Sequence, residues 1–182
     1  MARRRVPVLC PTRCGWPQAR CRIEGLGHGN RRHLGSPFHG GLCNHVADWS
    51  EDRDFQVGCV IVDPIGHEVR TMGYNGLPRG VSADDDARFD RASGEKFHWI
   101  EHAERNAVYN AARTGVALVG CTAYVNRFPC ADCARALTQS GITRIVAPPI
   151  PQADGALDHS FQVSRRMLSE AGITITEYEE GN

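Results

Sequence analysis

Hydrophobic positions in this 182-residue chain fall into regular order only from about residue 56 onward. Residues 56–63 (Gln-Val-Gly-Cys-Val-Ile-Val-Asp) form an almost unbroken β-branched run, the pattern of a buried strand. Pro64-Ile65-Gly66 supplies a turn, and residues 67–74 predict the returning strand of a hairpin. Residues 76–97 are polar, with Asp84-Asp85-Asp86 and the run from Arg88 to Arg91. A loop of roughly 20 residues inside a compact domain usually serves function, such as covering a substrate. Residues 101–113 are alanine-rich, with Ala103, Ala107, Val108 and Ala111 at helical spacing and Gly115 as a stop. A strand at 121–125, a helix at 131–140 before Gly141, and a strand at 143–147 follow. A helix at 159–171 before Gly172 and a last strand at 173–178 complete the pattern. Strands alternating with helices after a hairpin predict a mixed sheet with helices on its faces, a three-layer α/β/α domain.

The first 43 residues show no such order. Gly, Pro, Arg, His and Cys dominate them, and Gly25, Gly27, Gly29, Gly35, Gly40 and Gly41 interrupt any helix. The expected division is a disordered or atypical basic extension rich in Cys, His and Gly over residues 1–45 and a folded domain over 46–182. A small zinc module built from Cys10, Cys14, Cys21 and one of His28, His33 or His39 is the alternative, but its spacing matches no zinc-finger pattern. Residues 34–45 are also expected to build a helix poorly.

Net charge is zero, yet it divides unevenly. Residues 1–45 carry eight arginines against one acid, Glu24, whereas the remainder carries 13 basic and 20 acidic residues. An acidic body counts against a nucleic-acid-binding surface. No apolar run approaches the ~18 residues of a membrane span. The basic start, Met1 to Arg5, lacks the apolar stretch of a secretory signal. The eight cysteines therefore read as reduced and metal-binding rather than disulfide-bonded, and the expected location is cytoplasmic.

Two short stretches carry chemistry. Pro129-Cys130-Ala131-Asp132-Cys133 opens a helix, so both sulfurs face one way at its positive end, where thiolates are stabilised. His102-Ala103-Glu104 opens the preceding helix. His102 adds a third protein ligand and leaves one position for water, the pattern of a catalytic zinc site. Glu104 reaches that water rather than the ion. With zinc lowering the water's pKa toward about 7, Glu104 can take its proton and pass it to a ring nitrogen. The implied chemistry is attack on an amidine-like carbon with loss of ammonia. Either stretch alone has other uses, a redox dithiol or half a structural zinc site; in this order, each opening a helix, they match the signature of zinc deaminases.

Residues 56–178 resemble the deoxycytidylate (dCMP) deaminases within the cytidine deaminase superfamily. The likeness lies in Gln56-Val57-Gly58-Cys59-Val60-Ile61-Val62, Gly73-Tyr74-Asn75-Gly76-Leu77-Pro78-Arg79-Gly80, Lys96 ahead of His102-Ala103-Glu104-Arg105-Asn106-Ala107, Tyr124-Val125, Phe128-Pro129-Cys130-Ala131-Asp132-Cys133-Ala134 and Ser140-Gly141-Ile142. The Gly-Tyr-Asn-Gly-x-Pro stretch separates this branch from free-cytidine and tRNA-adenosine deaminases. The resemblance implies a cytidine-deaminase-like fold with a mixed five-stranded sheet, a bound Zn²⁺, and conversion of dCMP to dUMP and ammonia, which supplies dUMP for thymidylate synthesis. It implies that Asn75 hydrogen-bonds the nucleotide and that the main chain at Ala103 and Phe128 reads the cytosine edge. It also implies a homohexamer regulated by dCTP and dTTP, with Gly73, Tyr74 and Gly76 near the effector. Asn-Gly is equally an ordinary turn pair. Arg79, Arg127 and Arg135 are the candidate phosphate contacts. Two other readings compete: a nucleic-acid (tRNA) editing deaminase, disfavoured by the acidic body, and a non-enzymatic zinc-binding interaction module, which leaves Glu104 without a role.

Overall fold

The fold follows from one strand buried on both faces, β1 (Gly58–Val62), all five of whose residues are buried. The structure, a computed structural model, describes residues 38–152 and 155–178. The proposed Cys10/Cys14/Cys21 module lies outside them, as does nearly all of the predicted extension.

β1 pairs antiparallel on one side with β2 (Val69–Tyr74) and on the other with β3 (Thr122–Val125). Beyond β3 come β4 (Arg144–Ala147) and β5 (Thr174–Glu177), both parallel to their neighbours, giving the order β2-β1-β3-β4-β5. This is the mixed five-stranded sheet that the pattern predicts. The β1–β2 turn is tied by Asp63, whose carboxylate accepts from the amides of Ile65 and Gly66 at 2.8 Å each.

Alternation along the strands sorts side chains into two cores. Cys59, Ile61, Ala123, Val125, Ile145 and Ala147 face the larger one. Against it pack three helices that follow α1 (Asn44–Ala47) in the chain: α2 (Ala103–Thr114), α3 (Ala131–Gln139) and α4 (Asp158–Glu170). The stripe Ala103, Ala107, Ala111 lets α2 lie close against the sheet, and Gly115 ends it in the left-handed conformation at φ 71°. Asn106 and Asn110 of α2 donate to the carbonyls of Tyr74 and Met72 at 2.8 Å. These bonds occupy two carbonyls of the outermost strand, a common protection for a sheet edge.

Val60, Val62, Tyr124 and Val146 face the second, smaller core. It is covered by a π-helical turn, Phe38–Cys43, that runs into the short helix α1 (Asn44–Ala47). Cys43 and Val46 are fully buried there, and the Cys43 thiol donates to Tyr124 O at 3.4 Å. Burial pushes that thiol up to about 12, so it stays protonated. The segment expected to build a helix poorly is thus helical despite Gly40 and Gly41. Apolar burial of Cys43, Val46 and Ala47 outweighs a propensity cost of about 1 kcal/mol per glycine. The packed region accordingly reaches back past residue 45, where composition put the boundary.

The polar stretch after β2 is a closed excursion. Gly76 and Glu101 exchange backbone hydrogen bonds at 3.0 and 2.8 Å, so the chain leaves and returns at one point. Between them lie a 3₁₀ turn, Asp86–Phe89, and a single helical turn, Lys96–Trp99, that sequence pattern left as loop.

Candidate active site

Two helix starts meet at the floor of one pocket. His102 precedes α2 with extended backbone (φ −81°, ψ 152°), and Cys130 precedes α3 likewise (φ −72°, ψ 173°). Each side chain therefore projects from the mouth of its helix. His102 Nδ1 lies 3.4 Å from the sulfur of Cys130 and 3.4 Å from that of Cys133. Zinc bonds of about 2.05 Å to nitrogen and 2.3 Å to sulfur at tetrahedral angles place N and S about 3.6 Å apart. The three ligand atoms lie within 4.8 Å of one another. The donor set thus fits zinc.

Electrostatics agree with that fit. The Cys130 thiol is drawn down to about 4, chiefly by the hydrogen bond from Cys133, against burial and with help from His102. A thiolate stands ready there at neutral pH. Burial pushes Cys133 up, and its hydrogen bond to Cys130 adds to that. Cation binding at the pair releases the remaining proton. The α3 terminus is also held from outside, since Ser160 of α4 accepts from the amide of Ala131 at 3.0 Å.

Glu104 sits in the first turn of α2, 3% exposed, on the pocket wall beside His102. Burial raises its carboxyl pKa, opposed by His102 and reinforced by Cys130. A carboxyl group so placed exchanges a proton more readily near neutrality than an exposed one.

Above the floor, Ala103, Phe128, Ile100, Leu157 and Phe161 give the pocket apolar walls. Phe128 and Phe161 meet edge to face at 6.3 Å, and the Arg165 guanidinium lies 5.1 Å from the Phe128 ring centre. These contacts hold the β3–α3 turn that carries Cys130 and leads into Cys133.

Asn75 lines the pocket, but its side chain is engaged by the protein itself. Its Nδ2 donates to Phe55 O at 2.7 Å and to Asp52 Oδ2 at 3.1 Å, and its Oδ1 accepts from the amide of Val57 at 2.7 Å. Both protons and the carbonyl thus fasten residues 52–57 to the end of β2. Lys96 closes the cluster through a buried ion pair with Asp52 at 2.6 Å. Of the candidate phosphate contacts, Arg127 lines the pocket. Arg79 donates to Asn110 and Arg135 to Asp132, both on the exposed surface.

Of the residues expected near an effector, Gly73 is packed against α2 and Gly76 forms the bridge to Glu101. Tyr74 is the half-exposed one, 6.0 Å from Trp49 in an edge-on pair. Phe55, Arg91, Asp52, Leu157 just before α4 and Phe161 within it were not singled out by the motifs. No local spacing marks them, because each reaches the pocket through packing.

The cytidine and deoxycytidylate deaminase zinc-binding region matches residues 40–148. An uncharacterized deaminase encoded in the luxG 3′ region of Aliivibrio fischeri is 38% identical over 136 residues, covering 72% of this chain and 84% of that one. The deoxycytidylate deaminase of Homo sapiens is 34% identical over 138 residues, covering 72% of each chain. Among solved structures, the dCMP deaminase of cyanophage S-TIM5 in complex with dCMP and dUMP superposes with a TM-score of 0.62. It is 18% identical over 75% of this chain and 91% of that one. At that identity the superposition bears on the fold alone.

Proposed function

From the family to which this chain belongs, the cytidine and deoxycytidylate deaminases, we infer that it catalyses hydrolytic deamination of dCMP to dUMP and ammonia. One observation carries the reading: a buried carboxyl, Glu104, stands beside a His/Cys/Cys group at the floor of an apolar pocket. Zinc held by His102, Cys130 and Cys133 supplies Lewis acidity toward water. Glu104 takes the proton that water gives up and delivers it to the ring nitrogen beside the amino-bearing carbon. The water oxygen bonds to that carbon, its second proton passes through Glu104 to the amino group, and ammonia leaves as the C–N bond breaks and the carbonyl forms. Ala103 and Phe128 flank the base, with their main chain at its hydrogen-bonding edge. Asn75 acts by holding residues 52–57 over the ribose end of the pocket.

We assign the chain to the cytoplasm; among the described residues no helix is long and apolar enough to cross a membrane. A homohexamer with dCTP and dTTP as effectors completes the reading. Exposed Trp49, with Met72 and Tyr74 on the outermost strand, supports contact between copies, and the exposure of Tyr74 supports an effector contact there. Ammonia release measured across dCMP, dCTP, cytidine and a tRNA anticodon stem tests the assignment. Preference for dCMP upholds it, and preference for the RNA overturns it.

A further inference from the structure

The two residues between the cysteine ligands are each gripped from a different helix. The Ala131 amide donates to Ser160 of α4 at 3.0 Å, and the Asp132 carboxylate lies 3.6 Å from Nη1 of Arg105 on α2. Arg105 turns its Nε toward Glu101 at 2.5 Å, and the same Glu101 oxygen accepts from the amide of His102 at 3.0 Å. One guanidinium therefore joins the chain entering α2, where His102 sits, to the start of α3, where Cys130 and Cys133 sit.

Arg105 occupies the first turn of α2, where the positive end of the helix dipole disfavours a cation. It is nonetheless held there, 25% exposed, between two carboxylates on different elements. A planar guanidinium can serve both, because its Nε and Nη1 donors are fixed in one rigid fork. At this exposure neither pair adds much to global stability. Their placement matters more than their strength. Any slide of α2 against α3 changes the separation of His102 from the two sulfurs, and a metal site holds its ligands to within about 0.2 Å. Among the described residues Arg105 does not line the pocket, so its influence reaches the chemistry only through the ligands.

We propose that Arg105 is a positioning residue: by bridging Glu101 and Asp132 it straps the two ligand-bearing helix starts together and sets how long the site retains zinc. The proposal rests on the zinc reading of His102, Cys130 and Cys133. Glu101 also forms the backbone bridge to Gly76, so the strap is anchored where the excursion after β2 returns to the domain.

The test follows zinc captured from the loaded protein by an excess of a chromogenic chelator. It compares the wild type with Arg105→Met, Arg105→Lys, Asp132→Asn, the Arg105→Met/Asp132→Asn double variant and Arg135→Gln. Arg135 also pairs with Asp132, but from within α3, so it spans no gap between helices. Arg105→Met and Asp132→Asn should each release zinc about 10-fold faster, the lower end for groups that orient metal ligands. The double variant should release it no more than about twofold faster than either single one, because both changes cut the same strap. Arg105→Lys should recover part of the loss, and Arg135→Gln should match the wild type. Release at the wild-type rate from the single variants, or losses that multiply in the double variant, overturn the proposal. Urea unfolding of the zinc-free proteins separates positioning from bulk stability. Zinc-free Arg105→Met should unfold close to zinc-free wild type, and a large drop there would mark a role in the fold at large and refute the strap. No substrate enters these readouts. The expected zinc pattern in a protein that deaminates neither nucleotide nor RNA upholds the strap and sinks the deaminase reading, whereas a wild type that binds no zinc sinks both.

Discussion

A methyl group on Gly73 would stand 2.5 Å from the carbonyl oxygen of Ala103, so β2 and α2 touch backbone to backbone at the residue between His102 and Glu104. The same methyl would strike the amide of Ala107. The absent side chain at Gly73 thereby sets the height of the helix that carries one metal ligand and the buried carboxyl.

Gly73→Ala should lift the start of α2 and lower stability by about 1–3 kcal/mol, the usual cost of overpacking. Activity should fall further than stability, because small misplacement of reacting groups is costly. Gly76→Ala is the control, since its new methyl meets nothing closer than 3.8 Å. Urea denaturation and kcat measured on both variants check the contrast.

Glu104→Gln should keep zinc and fold while reducing turnover by about 10²–10⁴-fold or more. The amide fills the same buried space but carries no proton between water and base. Metal analysis beside steady-state rates decides; near-normal rates would remove Glu104 from proton transfer.

Cys130→Ala should cost both metal and stability. Wild-type protein should hold about one zinc per chain, and the variant far less. Its thermal transition should fall to that of chelator-treated wild type, because binding energy at such a site is folding energy. Equal zinc content in the two proteins would refute the ligand assignment.

Lys96→Met should destabilise by about 3–5 kcal/mol, since it strands the buried Asp52 carboxylate. Adding Asp52→Asn should recover much of that loss, because it removes the stranded charge while keeping a group that can meet Asn75. A double-mutant cycle in urea measures the recovery; additive losses would mean that the pair is not coupled.

The order of strands and helices could be read from the chain, and so could the grouping of His102, Cys130 and Cys133. Both depend on spacing over a few residues: the unbroken apolar run of β1, the Ala103–Ala107–Ala111 stripe, and two ligand motifs that each open a helix. Three features could not be read that way. The glycine-bearing segment from Phe38 packs as helix because burial against Val60 and Tyr124 outweighs its local preference. Asn75 reads as a ligand contact or a plain turn residue, yet its three side-chain hydrogen bonds go to Asp52, Phe55 and Val57. Arg127 was one arginine among several until packing set it beside Phe55, 72 positions earlier in the chain and 4.7 Å from its ring. Local chemistry determined what each element is and which atoms could hold a metal. Only tertiary packing decided which distant side chains share the pocket, because contact between residues so far apart depends on how every intervening element lies on the sheet.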